Sequence, residues 1–168
     1  MAPLSLSRWL RHLLQPGWLT RRAFPSAVLA RIARAVAAAE TGHGGEIRFV
    51  VEGALDALDV FRGETARSRA LALFSRLGIW DTEANNGVLI YLLLADRDVE
   101  ILADRGFNGK VAAQEWEAVC REMEAHFARG EYESGALAGI ARAGELCREH
   151  FPVTGPDQDE LPNPPAVL

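Results

Sequence analysis

The run Val88 to Leu94 (VLIYLLL) is seven apolar residues long and is flanked by polar turn residues. It is rich in branched side chains and too short for a core helix, so it predicts a strand buried on both faces. Such a strand requires covering layers on both sides of its sheet, and the rest of the chain has to supply them.

Phe24-Pro25 opens the first of these layers: residues 25–41 place Val28, Leu29, Ile32, Val36 and Ala39 on one helical face, with a proline suited to the first turn. Gly42, Gly44 and Gly45 stop that helix, and Glu46 to Glu52 (EIRFVVE) then alternates apolar and charged residues as a half-buried strand does. A loop is expected through Asp59. Ala66, Ala70, Leu73, Phe74 and Leu77 give residues 64–77 the spacing of a second helix, ended by Gly78. Beyond the central run, Ala95 to Asp98 reads as a turn, and Val99, Ile101 and Ala103 alternate with Asp98, Glu100, Leu102 and Asp104, which predicts a hairpin. Trp116, Val119, Met123 and Phe127 mark a third helix, and a fourth spans Glu131 to His150. This order predicts an α/β fold, a three-layer α/β/α sandwich with a small mixed central sheet, formed as a single domain over residues 23–151.

Charge divides the chain further. The whole has 18 basic and 23 acidic residues, yet residues 1–34 carry six arginines and no acid, so this head is +6 and the remainder is -11. Residues 1–22 read as a basic amphipathic arm whose Arg8, Trp9, Arg11, Trp18, Arg21 and Arg22 suit an anionic membrane surface or a protein partner. The acidic body repels phosphate backbones, which excludes general nucleic-acid binding. Arg8, Arg11, His12 and Pro16-Gly17 interrupt the arm's apolar residues, so neither a secretion signal nor a spanning helix is expected, and the default location is the cytoplasm with peripheral membrane contact. The tail, residues 152–168, holds five of the eight prolines and three acids and is expected to be disordered, extended and without a core of its own.

Two loops are dense in oxygen donors. One is Asp81 to Gly87 (DTEANNG), entering the central strand; the other set is Asp96, Asp98, Glu100 and Asp104, leading into Arg105-Gly106-Phe107-Asn108-Gly109. Carboxylates and amide carbonyls suit Ca²⁺ or Mg²⁺ rather than zinc, although Asp, Asn and Gly also serve simply as turn formers. The first loop is no EF-hand, because its sixth and twelfth positions are Asn86 and Leu92. Opposite ends of a seven-residue strand lie roughly 20 Å apart, so Asp81 and Asp96 cannot share an ion. Asp104, at the end of an antiparallel partner, returns to the end where Asn85 and Asn86 sit. Glu83, Asn85, Asn86 and Asp104 are therefore the expected ligands, with Asp104, Arg105 and Glu83 as catalytic candidates. Asp96-Arg97-Asp98 resembles the D-x-D of aspartyl-phosphate phosphatases but is better explained as a hairpin turn. Cys120 and Cys147 read as half-buried free thiols with no arginine six residues on, which excludes thiol phosphatase chemistry. His43 and His126 read as surface histidines. There is no G-x-S-x-G, H-E-x-x-H, Walker lysine motif or G-x-G-x-x-G, so no organic cofactor is expected.

The stretch LFSRLGIWDTEANNGVLIYLLLADRDVEILADRG, with N-G-V-L-I entering the strand and A-D-R-G after its partner, resembles the TPM domain family, whose soluble bacterial members sit beside thylakoid-lumen phosphatase-type and photosystem-repair proteins. Phe127-Ala128-Arg129-Gly130-Glu131-Tyr132 is similar to the family's F-x-x-G-x-Y, and the likeness covers roughly residues 45–150. The resemblance implies an α/β/α sandwich, divalent-cation binding at the loops beside the central strand, with Asn86-Gly87 and Asp104 at ligand positions, and an acid phosphatase activity ascribed to plant members. The segment Asp104 to Gly109 departs from the family's pattern, in which many relatives place two glycines one residue apart. The expected function is therefore divalent-cation binding with phosphomonoester hydrolysis; the alternative is a non-catalytic module that meets a membrane or a partner through its basic arm.

Overall fold

A computed structural model describes residues 6–153 and 159–168. Residues 1–5 of the arm and 154–158 of the tail lie outside the described residues.

The chain starts with two short helices, α1 (Leu6–Leu13) and α2 (Gly17–Ala23), and continues into α3 (Ser26–Glu40). Strand β1 (Glu46–Glu52) follows, and the segment read as a loop through Asp59 contains a further helix, α4 (Ala57–Phe61), whose cap Asp56 accepts the Leu58 N–H at 2.8 Å. Helix α5 (Ala66–Arg76) begins at a reciprocal cap between Thr65 and Ser68, two hydroxyl residues that each bond the other's backbone N–H. The apolar run becomes β2 (Gly87–Leu93), every residue of which is buried, and β3 (Asp98–Ala103) turns back on it as an antiparallel partner. Helices α6 (Ala113–Ala128) and α7 (Tyr132–His150) complete the domain.

The sheet has the order β3-β2-β1-β4, where β4 is the pair Ala166–Val167; β1 runs parallel to both β2 and β4. Side-chain alternation along β2 separates two cores. Val88, Ile90 and Leu92 pack with residues of α3, α6 and α7, including Ile32, Val36, Trp116, Met123 and Ile140. Leu89, Tyr91 and Leu93 face the other way, toward Val60 of α4 and Ala66, Ala70 and Leu73 of α5. Helices therefore cover both faces, and the fold is the three-layer sandwich with a mixed sheet that the apolar run demands.

The tail differs from the coreless segment expected. Leu161 is buried in the second core, the Ala166–Val167 pair aligns with Val50 and Val51, and the Leu168 N–H donates to the Val51 carbonyl at 2.9 Å. Prolines remove donors from this segment but leave carbonyls, and the Arg48 guanidinium donates to those of Pro162 and Pro164. The β1 edge that would otherwise be bare is partly covered in this way. The arm packs on the domain as well: the Trp9 indole N–H donates to the Ala57 carbonyl at 3.1 Å.

Candidate functional site

The two oxygen-rich loops meet where β2 begins and β3 ends. The Asp104 N–H donates to the Gly87 carbonyl at 2.9 Å, and the Gly106 N–H donates to the Asn85 carbonyl at the same distance. This approach depends on a missing side chain, because a Cβ on Gly106 would stand 2.3 Å from the Asn85 carbonyl oxygen. Gly87 is needed for a similar reason, its Cβ position lying 2.0 Å from the Ile79 carbonyl oxygen.

Within this junction the expected ligands separate into two kinds. Asn85 adopts a left-handed φ of 54°, and its Oδ1 accepts from the Arg105 guanidinium at 2.6 Å. Glu83 is exposed, and its N–H donates to the Glu160 carboxylate of the tail at 3.0 Å. Asn86 is buried: its N–H donates to the Thr82 hydroxyl at 3.1 Å and its amide nitrogen donates to the Gly44 carbonyl. Asp104 caps a single 3₁₀ turn, Arg105–Phe107, by accepting the Arg105 N–H on Oδ1 at 2.7 Å. Asn86 Oδ1 and Asp104 Oδ2 are buried atoms with no hydrogen-bond partner among the described residues. Buried acceptors left in that condition cost about 1–3 kcal/mol each unless something else meets them.

A second acidic group lies at the β1 edge and gave no signal in the sequence. Oxygens of Glu40, Glu46 and Asp159 lie within 4.8 Å of one another. Glu40 accepts the Ile47 N–H at 2.7 Å, and Glu46 accepts the N–H groups of Glu160 and Leu161 at 3.2 and 3.0 Å. Burial pushes the Glu46 carboxyl above its ordinary range; those two backbone donors oppose the rise, while the charges of Asp159 and Glu160 add to it. Alternation along the strand had assigned Glu46 to solvent, yet it is 2% exposed because the tail folds over it.

The remaining candidates take structural places. The Asp96-Arg97-Asp98 segment is the hairpin turn: Asp96 binds Arg8 and Arg11 of the arm at 2.8 and 3.2 Å. Burial would raise the Asp96 carboxyl, but the hydrogen bonds from Arg8 and His12 outweigh it and hold the group below its ordinary range. Burial pushes the thiols of Cys120 and Cys147 up to about 12, which leaves neither a ready nucleophile at neutral pH. His43 is fully buried rather than on the surface, its Nδ1 accepting the Gly45 N–H at 3.0 Å. His126 stands 2.7 Å from the exposed Glu131 carboxylate.

A sheet covered on both faces, with its oxygen-rich loops gathered at one end of the central strand, defines a compact α/β domain. A family model, the TPM domain, matches residues 21–146, and the chain belongs to that family. Among solved structures it is similar to the NMR structure of the BA42 protein from the psychrophilic bacterium Bizionia argentinensis, with a TM-score of 0.74 and 29% identity over 85% of this chain and 94% of that one. It also shares its fold with the N-terminal domain of a protein from P. gingivalis, at a TM-score of 0.61 and 20% identity over 77% of this chain and 82% of that one. No curated protein matches it.

Proposed function

We propose that the loop junction binds a hard divalent cation, Ca²⁺ or Mg²⁺, through Asn86 Oδ1 and Asp104 Oδ2. The observation that supports this reading is the pair of buried oxygens without partners, one on each loop. A carboxylate and an amide carbonyl are the donors such ions prefer, and neither histidine nor cysteine is present in residues 81–87 or 104–109 to favour zinc. Two protein side chains leave most of the coordination sphere to water, backbone carbonyls or an anionic ligand, and the positive charge of Arg105 opposes a second one nearby. Weak binding follows. Asn85 and Glu83 play supporting parts: Asn85 positions Arg105, and Glu83 stands at the rim.

The finer form of the proposal is phosphomonoester hydrolysis. A bound cation there would supply Lewis-acid polarisation of a phosphoryl oxygen. In this reading Arg105 would offer the remaining donors of its guanidinium to the same group, and the exposed Glu83 would take a proton from water.

Backbone amide shifts during separate Ca²⁺ and Mg²⁺ titrations test the reading. It expects saturable movement at Asn86, Gly87 and Asp104 to Gly106, diminished in Asp104→Asn. Absence of movement there would sink it, and movement confined to Glu40, Glu46 and Asp159 would transfer the ion to the β1 edge.

A further inference from the structure

The first two helices cover the domain with few apolar groups, of which Trp9 and Ala23 pack on its two cores. Their inward side carries polar groups: His12 and Thr20 are each 4% exposed, and the Leu55 N–H donates to His12 Nδ1 at 3.0 Å. Their outward side carries Leu6, Leu10, Leu13, Leu14 and Trp18, from 39% to 71% exposed. Leu6, Leu10 and Leu13 repeat at four and three residues and so form one stripe along α1. A contiguous set of large apolar side chains held in water marks an interaction surface.

The surroundings of that stripe select the occupant. Leu10, Leu14 and Leu19 share a cleft of about 1010 Å³ with Arg11, Arg22 and Arg97. Residues 6–24 contain no acid, and the one carboxylate lining the cleft, Asp96, already binds Arg8 and Arg11. Arg21, Arg22 and Arg97 are exposed and hold no ion pair among the described residues. Leucines and a tryptophan rimmed by uncommitted guanidinium groups match the boundary between acyl chains and anionic headgroups. A second copy fits poorly, because two-fold pairing of this face would set arginines against arginines. From the geometry we infer that residues 6–24 dock the domain on an anionic lipid bilayer, with α1 lying in the plane of the interface. The rest of the chain, at -9, is repelled by the same headgroups, so contact is confined to the arm and the adjoining Arg97.

Co-sedimentation of the full chain with vesicles of equal phosphatidylglycerol and phosphatidylcholine, compared with phosphatidylcholine alone, tests this. Binding is expected to the anionic vesicles, weakened by salt and weakened about fivefold for each charge removed in Arg21→Gln and Arg22→Gln. The pair Leu10→Gln with Leu14→Gln is expected to abolish it while leaving the circular dichroism spectrum unchanged, since both side chains are exposed. No sedimentation with anionic vesicles, equal sedimentation with neutral ones, or insensitivity to both sets of variants would overturn the proposal. So would lipid-free self-association that disappears in the leucine variant, which would assign the face to a second copy.

Discussion

His12 Nε2 stands 3.0 Å from Asp96 Oδ2, inside the seam between the N-terminal arm and the β2–β3 turn. Because Nδ1 of the same ring accepts the Leu55 N–H, Nε2 carries the proton and faces the carboxylate. Arg8 donates to the same oxygen at 2.8 Å, so one aspartate fastens helix α1 to the domain through two side chains whose own ends are largely buried.

Asp96→Asn removes the charge that these groups share. A loss of about 2 kcal/mol is expected, or roughly 4–8 °C in Tm, together with faster proteolysis between residues 6 and 24 than in the rest of the chain. Thermal denaturation and limited proteolysis followed by mass spectrometry check both effects. Uniform loosening of the whole chain would argue against a local fastening.

Glu52 sits in a comparable arrangement within the second core. Its carboxylate takes a bidentate pair from Arg69 at 2.8 and 2.7 Å and the Tyr91 hydroxyl at 2.8 Å; burial first, then the Glu52 charge and hydrogen bond, drive the Tyr91 phenol well above its ordinary range against the opposing charge of Arg69. Arg69→Met leaves a carboxylate buried with only the hydroxyl for company. The expected cost is about 2–3 kcal/mol, measured by urea denaturation, and Arg69→Lys is expected to recover only part of it because an ammonium cannot repeat the fork.

Asp98 gives a pH dependence whose sign is fixed. Burial, then the charges of Glu100, Glu124 and Asp96, raise its carboxyl to about 6. The folded state therefore holds this proton more tightly than the unfolded chain does, so the contribution from Asp98 is fully favourable below about pH 4 and is lost as pH rises through 6. Asp98→Asn is expected to leave Tm nearly unchanged at pH 4 and to raise it by a few degrees at pH 8. An equal change at both values would contradict the assignment.

Gly106→Ala tests the contact between the two loops. The added carbon would meet the Asn85 carbonyl at 2.3 Å, a backbone atom with little room to move, so the loops must separate. A destabilisation of about 1–3 kcal/mol is expected, with loss of protection at the Gly106 amide in hydrogen exchange.

The layers were legible in the sequence because their periods differ: a seven-residue apolar run, an alternating strand and helices with their apolar residues three or four apart leave little choice of fold. The tail was not. A two-residue strand behind five prolines has no period, and its docking depends on carbonyls meeting Arg48 and on Leu161 finding a gap in the second core. The meeting of the two loops was legible in outline, since a hairpin returns Asp104 to the start of β2. Which donors face inward depends on loop detail: the positive φ of Asn85 turns its amide to Arg105, whereas Asn86 is left with a buried oxygen. The cluster of Glu40, Glu46 and Asp159 joins the α3–β1 junction to the distant tail, which no local pattern connects.

Ion density in crystals grown with calcium tests the cation site most directly. The account predicts anomalous density within about 2.3–2.6 Å of both Asn86 Oδ1 and Asp104 Oδ2, absent in Asp104→Asn crystals grown identically. Density only among Glu40, Glu46 and Asp159, or none at the loop junction at millimolar calcium, would contradict it.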